Sequence, residues 1–283
     1  LARLVAETLA SGAPQAGELA LRRPEQHTFA LAGAPLPPAA GGGAVVVARD
    51  TTAATRAAAM RRDFVANVSH ELKTPLAAIR GYAETLRDGA LEEPETARRF
   101  TGRILEQARR LEALLGDLLT LARLEGVEPA AEPEPVDLAA LARGALELVA
   151  RRAEERGVRL TLESAPLPPV PGEADALERL LCNLLDNAIK YNRPDGTVTL
   201  ALARDGDRAV VEVRDTGIGI PPEALPRLFE RFYRVDKGRA REEGGTGLGL
   251  AIVKHVAQSH GGTVAVESRP GQGSTFRVEL PLG

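Results

Sequence analysis

Apolar side chains recur with a seven-residue spacing at Val65, Leu72, Ile79 and Leu86, and Val68, Leu76 and Ala83 fill in beside them. That stripe commits the stretch from Arg61 to Leu86 to one long amphipathic helix that needs a helical partner. His70 lies off the stripe, roughly opposite Val65 and Leu72. Glu71 follows it directly and Thr74 sits one turn on, on the same face. Pro75 removes the backbone donor to the Glu71 carbonyl, so a bend is expected just past the histidine. A lone helical histidine is ordinarily a solvated surface residue. An exposed imidazole with a carboxylate beside it and a hydroxyl one turn away also offers a nucleophile, a base and a polar positioning group.

A second helix answers the first. Asp88 to Glu93 is turn material, Pro94 suits a first helical turn, and Ile104, Leu111, Leu114, Leu118 and Leu121 carry the heptad on to about Glu125. Two such helices joined by a short turn form a hairpin, here assigned to residues 57–125, that leaves apolar surface uncovered. Two copies would pair into a four-helix bundle, so a homodimer is expected; the alternative is a monomeric hairpin packed on the following domain. Residues 126–136, rich in proline and glutamate, read as a linker that lets the C-terminal part swing against the bundle.

At 283 residues the chain holds two or three domains. A net charge of −3, with no basic run interleaved with aromatics, argues against a nucleic-acid-binding surface. The single cysteine, Cys182, permits no internal disulfide and reads as a small buried apolar residue among leucines. No apolar run approaches the ~20 residues needed to cross a bilayer. The chain begins with Leu1, which suggests a fragment whose upstream part, and any membrane anchor in it, is missing. Residues 1–56 show a short helical pattern, weak strands at 18–21 and 28–31, a glycine-rich loop, and a clean strand from Ala44 that runs into the long helix. These cannot close a core alone.

From 137 to 283 the pattern is mixed. Helices are expected at 138–155, 175–191 and 249–259, and strands at 158–163, 197–203, 209–214, 263–267 and 275–280, which a two-layer α/β sandwich accommodates. Four motifs fall on these elements. Asn183 and Asn187 share a helix face, with Lys190 at the next turn and Tyr191 beside it. Amide oxygens suit a hard cation that keeps most of its waters, and the lysine suits a phosphate; two surface asparagines are the alternative. Asp215 ends a strand, and Gly217 and Gly219 after it let backbone approach a planar ligand whose exocyclic amine the carboxylate could bind. The run LFERFYRV from Leu228 looks like docking aromatics for a mobile flap, with Arg234 placed to neutralise charge developing on a phosphoryl group. Gly245, Thr246, Gly247, Leu248 and Gly249 lead into a helix whose N-terminal amides could face phosphate, and no Gly-Lys-Ser/Thr of a Walker A loop follows. The charged stretch 236–243 ahead of them suits a lid over nucleotide. His27 has no context, and His255 and His260 have no metal-ligand company.

The run FVANVSHELKTPL from Phe64 to Leu76 closely resembles the phosphoacceptor motif of two-component sensor histidine kinases. The four downstream motifs together look like the N, G1, F and G2 boxes of the GHKL (Bergerat) ATP-binding fold, shared by histidine kinases, DNA gyrase, chaperone ATPases and mismatch-repair ATPases. The stretch GQGSTF from Gly271 resembles a further glycine box of that fold, which implies that Thr275 lies near the adenine. The strand ending in Asp50 and Thr51 is similar to the tail of a PAS sensor domain, as in phosphate-regulon sensor kinases; a plain structural cap on the helix is the alternative.

The resemblance, which covers about 60–283, implies a multi-domain protein: a partial PAS-like α+β segment, a helical hairpin forming a dimeric four-helix bundle, then the ATP-binding sandwich. It implies ATP with Mg²⁺ held through Asn187, transfer of the γ-phosphoryl group to a ring nitrogen of His70 assisted by Glu71, and passage to an aspartate of a response regulator. Thr74 occupies the place associated with phosphatase activity toward that partner. It also implies a cytoplasmic portion of a protein anchored in the inner membrane. Two other readings compete. A silent nucleotide-binding scaffold would not need intact His70, Glu71, Asn187 and Asp215. A gyrase- or chaperone-type machine would carry a water-activating glutamate four residues before Asn187, where this chain has Asn183.

Overall fold

The structure is a computed structural model that describes residues 1–21, 27–37, 42–125, 134–235 and 246–282, with backbone alone at 61 and 123–125. Contacts divide the chain into two compact units, Leu1–His70 and Glu71–Gly283. The division falls inside a helix.

In the first unit, α1 (Ala2–Ser11) lies on an antiparallel sheet in which β2 (His27–Pro35) is flanked by β1 (Gln15–Leu21) and β3 (Ala44–Asp50). Leu4, Thr8 and Leu31 are buried between the layers. Gly33 is required there, because a Cβ at that position would stand 2.6 Å from the Thr8 hydroxyl oxygen. The next helix, α2 (Thr52–Arg87), starts five residues ahead of the 57 expected from the heptad. Hydrogen bonds explain the earlier start. The Thr52 N–H donates to Asp50 Oδ1 at 2.8 Å, and the Thr28 N–H donates to the Thr52 hydroxyl at 2.9 Å, so the cap is built on β2.

In the second unit, α2 continues without interruption through Pro75 to Arg87. A 3₁₀ turn at Ala90–Glu92 leads into α3 (Pro94–Glu125), and the Tyr82 and Phe100 rings meet at 5.4 Å. Leu86, Leu114 and Leu121 are buried, while Leu76, Leu115 and Leu119 are exposed. Apolar surface beside the heptad stripes thus remains uncovered within one copy.

The remaining elements form the sandwich. Asp137 caps α4 (Leu138–Glu155) by accepting the Ala139 and Ala140 N–H groups. Beyond it lie β5 (Arg159–Ser164), α5 (Ala174–Lys190), β7 (Thr197–Asp205), β8 (Arg208–Asp215), α6 (Gly249–Ser259), β9 (Thr263–Arg269) and β10 (Gly273–Pro281). The five-stranded sheet has the order β5-β7-β8-β10-β9, and only β5 and β7 are parallel. Its inner face carries Val198, Leu200, Val211, Val213, Phe276, Val278 and Leu280, buried under α4, α5 and α6. The outer face carries ion pairs of Arg277 with Glu212, Glu279 and Asp205. One short pair was not expected from sequence: β4 (Glu134–Val136) lies antiparallel to β6 (Val170–Gly172), so the last residues of the expected linker are a strand. Linker residues 126–133 lie outside the described residues.

Candidate active site

The apolar face of α5, from Leu177 to Ile189, is buried, and this fixes which side chains face outward. Asn183, Asn187 and Lys190 therefore share one edge of a cleft of about 720 Å³. Tyr191 follows at the helix end, with its ring 5.0 Å from the Lys190 ammonium. The cleft is of the size that takes a nucleotide-like ligand.

Asp215 stands at the end of β8 and also lines the cleft. Burial pushes its carboxyl above the ordinary range, against the opposing effect of hydrogen bonds from the Gly217 N–H and from the Ser274 N–H and hydroxyl. The turn beyond it is made by close backbone approach. A Cβ on Gly217 would lie 2.2 Å from the Tyr191 carbonyl oxygen, and one on Gly219, where φ is +70°, 2.0 Å from that of Arg269. Arg193 donates to the carbonyls of both Gly217 and Gly271, tying two cleft-lining turns together.

The aromatic run packs inside the domain. Phe229 meets Phe276 edge-on at 6.5 Å, Tyr233 lies under the Arg227 guanidinium at 4.6 Å, and the Phe232 N–H donates to the Gly247 carbonyl at 2.9 Å. Phe229 and Tyr233 thus have packing partners within the domain. Thr246, Gly247 and Gly249 reach the cleft, and Gly249 leaves room for the Asn183 amide, since a Cβ there would sit 2.8 Å from Asn183 Oδ1. Leu248 is fully buried and points into the core. Gly245 and the charged stretch 236–244 lie outside the described residues.

Thr275 requires a correction. Successive residues of a strand face opposite sides, and on β10 the buried, cleft-lining positions are Ser274 and Phe276. Ser274, with its bonds to Asp215, occupies the place expected for Thr275.

On α2, His70 and Thr74 are exposed and Glu71 is half-buried. The Glu71 carboxylate is within 3.6 Å of Arg110 on α3 and 3.9 Å of Arg234. Arg234 also lines the cleft, so one guanidinium faces both the carboxylate and the nucleotide-sized space.

Four further cleft residues were not singled out in the sequence. Arg152 of α4 and Arg156 at its C-terminal cap border it, bonded to Asp186 and to the Lys190 carbonyl respectively; their spacing of one turn was the available signal. Ala113 and Asp117 of α3 close another side, and α3 packs against α6. Away from the cleft, His260 donates from Nδ1 to the Val256 carbonyl and accepts the Glu173 N–H at Nε2, which fixes its tautomer in a structural role. Burial pushes the Cys182 thiol up to about 11, in keeping with an inert packed residue. No helix among the described residues is long and apolar enough to cross a membrane.

Two family profiles match the chain. One, described as the His Kinase A (phospho-acceptor) domain, covers residues 60–127, and the other, described as the histidine kinase-, DNA gyrase B-, and HSP90-like ATPase, covers 172–283. The sensor-like histidine kinase SenX3 of Mycolicibacterium smegmatis is 42% identical over 79% of this chain and 58% of its own length. The phosphate regulon sensor protein PhoR of Pseudomonas aeruginosa is 44% identical over 77% of this chain and 49% of its own. The chain thus spans about half the length of the curated relatives it matches. Among solved structures, the Acinetobacter baumannii histidine kinase AdeS is similar over 76% of this chain and 98% of its own, with 25% identity and a TM-score of 0.63. Full-length ShkA in complex with AMPPNP is similar over 77% of this chain and 45% of its own, with 35% identity and a TM-score of 0.58.

Proposed function

Because the chain belongs to the sensor histidine kinase family, we propose that it transfers the γ-phosphoryl group of ATP to His70 and passes it on to an aspartate of a response regulator. What carries this reading is the convergence of Asn183, Asn187, Lys190, Asp215 and Thr246 on one cleft, downstream of a helix whose exposed histidine has Glu71 beside it.

In this reading the Asp215 carboxylate accepts a hydrogen bond from the exocyclic amine of adenine, and the glycines at 217 and 219 let the base lie against backbone. Lys190 and the first turn of α6 face the phosphates. Asn187, with Asn183 one turn before it, offers amide oxygens suited to a Mg²⁺ ion that keeps water and phosphate oxygens as its other ligands. Bound there, the ion would neutralise phosphate charge. In the neutral imidazole of His70 a ring nitrogen has a lone pair to attack the γ-phosphorus. The N–P bond forms as the bond to the bridging oxygen breaks, and ADP leaves. Glu71 takes up the ring proton as the imidazole becomes cationic. Arg234 offsets charge on the transferring group, which requires it to turn from Glu71 toward the cleft.

The exposed leucines Leu76, Leu115 and Leu119, beside the heptad stripes, support a homodimer through the hairpins. Thr74, one turn past His70, is placed to assist dephosphorylation of the regulator. The matched part reads as the cytoplasmic portion of a longer sensor anchored in the inner membrane, since the relatives extend well beyond it and the chemistry needs ATP.

Incubation with γ-labelled ATP tests the central claim. The wild type should take up label that is lost in acid and survives base, and His70→Gln should bind nucleotide without labelling. Label on His70→Gln at the wild-type level would place the acceptor elsewhere.

A further inference from the structure

The side of the cleft made by α3 carries a charge that the phosphoryl-transfer chemistry does not use. Asp117 Oδ2 accepts the Thr246 hydroxyl at 2.8 Å, and that hydroxyl in turn accepts the Leu248 N–H at 3.2 Å. Asp117 Oδ1 lies 3.9 Å from Arg179 of α5, and the side chain is only 16% exposed. Burial pushes this carboxyl upward, partly opposed by Thr246 and Arg179. Through Thr246 the carboxylate therefore stands beside the segment that leads into α6, near the end and of the sign of charge that the amides of a helix start attract.

Packing does not call for a carboxylate here. Leu114 and Leu121, on either side of it along α3, are themselves buried, so the apolar burial of this stretch does not depend on a carboxylate at 117. A triphosphate entering the same cleft brings several negative charges beside Asp117 in surroundings shielded from water, where repulsion is felt more strongly than in bulk. The phosphate tail and the carboxylate compete for one end of α6.

We propose that Asp117 is an internal competitor of the nucleotide's phosphates, a specificity-determining residue that lowers affinity in proportion to phosphate charge and makes ATP binding displace α3 from the start of α6. The inference rests on the reading of the cleft as a nucleotide site. It goes beyond that reading by assigning an opposing role to a residue of the hairpin.

Calorimetric titration of the wild type, Asp117→Asn and Asp117→Ala with adenosine, ADP and a non-hydrolysable ATP analogue, each with Mg²⁺, separates the outcomes. Asparagine can still accept the Thr246 hydroxyl, so loss of charge is tested with little loss of structure; alanine removes both. Both variants should bind the ATP analogue roughly tenfold more tightly than the wild type, ADP by a smaller factor, and adenosine within about twofold. Equal tightening for all three ligands would mean that α3 has merely loosened, and would overturn the proposal. Unchanged or weaker binding of the ATP analogue would overturn it as well, by giving Asp117 a supporting role. Failure of the wild type and both variants to bind any of the three would remove the nucleotide-site reading and this inference with it.

Discussion

Asp215→Asn should move affinity and stability in opposite directions. The substitution keeps shape and keeps an oxygen to accept the Gly217 N–H, which donates to Asp215 Oδ1 at 2.8 Å. What changes is the other end of the group, where an acceptor becomes an NH₂ donor opposite the adenine amine. One hydrogen bond to a charged acceptor is worth about 1.5–3 kcal/mol, which predicts a roughly ten- to hundredfold loss of ATP affinity. Stability responds to a different quantity. The folded protein holds the Asp215 carboxyl above its ordinary range, chiefly because burial disfavours the charge. A raised carboxyl pKa means that the folded state binds the proton more tightly than the unfolded state. Above the folded pKa the charged group therefore detracts from stability, and the penalty fades as pH falls through that value.

Nucleotide-free Asp215→Asn should accordingly melt at a higher temperature than the wild type at pH 7.5, and the gap should close as the pH is lowered and the wild-type carboxyl protonates. Calorimetric titration with an ATP analogue and thermal melts across pH 4.5–7.5 read both effects on the same samples. If affinity is unchanged, the adenine end of the cleft lies elsewhere. If affinity and melting temperature both fall, the carboxylate is a structural acceptor for Gly217 and Ser274 and no selector of the base.

Two further outcomes follow from the hairpin. Thr74→Ala should label His70 with near-normal kinetics and fail to dephosphorylate the regulator, whereas Glu71→Ala should lose autophosphorylation with little change in ATP affinity; equal slowing of labelling by both would refute that division of labour. The segment 57–125 should sediment as a dimer at micromolar concentration, because one copy leaves Leu76, Leu115 and Leu119 exposed, and a monomer would count against the bundle.

Elements with a long period or strong punctuation were legible in the sequence. The span of α3 could be read from Pro94 and the leucine heptad, and α4 and α6 kept the limits expected of them, because each has ten or more residues over which a helical period can be counted. The strands β4 and β6 were not legible, since each is three residues long with a proline inside, too short to show alternation. Ser274 could have been found: it shares the strand phase of Phe276, Val278 and Leu280, and that phase faces the helices. Asp117 could not. Its partner Thr246 is 129 residues away, and nothing in a leucine-rich helix marks which polar position another domain will meet.

The same limit applies to Glu71, and the two acidic residues make one pattern. In sequence Glu71 reads only as the neighbour of His70, yet in the fold its carboxylate faces Arg110 and Arg234. Asp117 meanwhile faces Thr246 and Arg179. Each helix of the hairpin thus presents a carboxylate to a residue that also lines the cleft, Arg234 in one case and Thr246 in the other. A guanidinium drawn toward Glu71 is less available to a γ-phosphate, and a helix start bonded through Thr246 to Asp117 is less available to the phosphate chain. On the proposed function, phosphates that reach Arg234 would release the base, and phosphates at the start of α6 would release α3. Coupling of this kind needs no device beyond charge exchange at two positions. Removing the two carboxylates should therefore have different consequences: loss of Asp117 relieves competition with the nucleotide, whereas loss of Glu71 takes away a group the histidine needs.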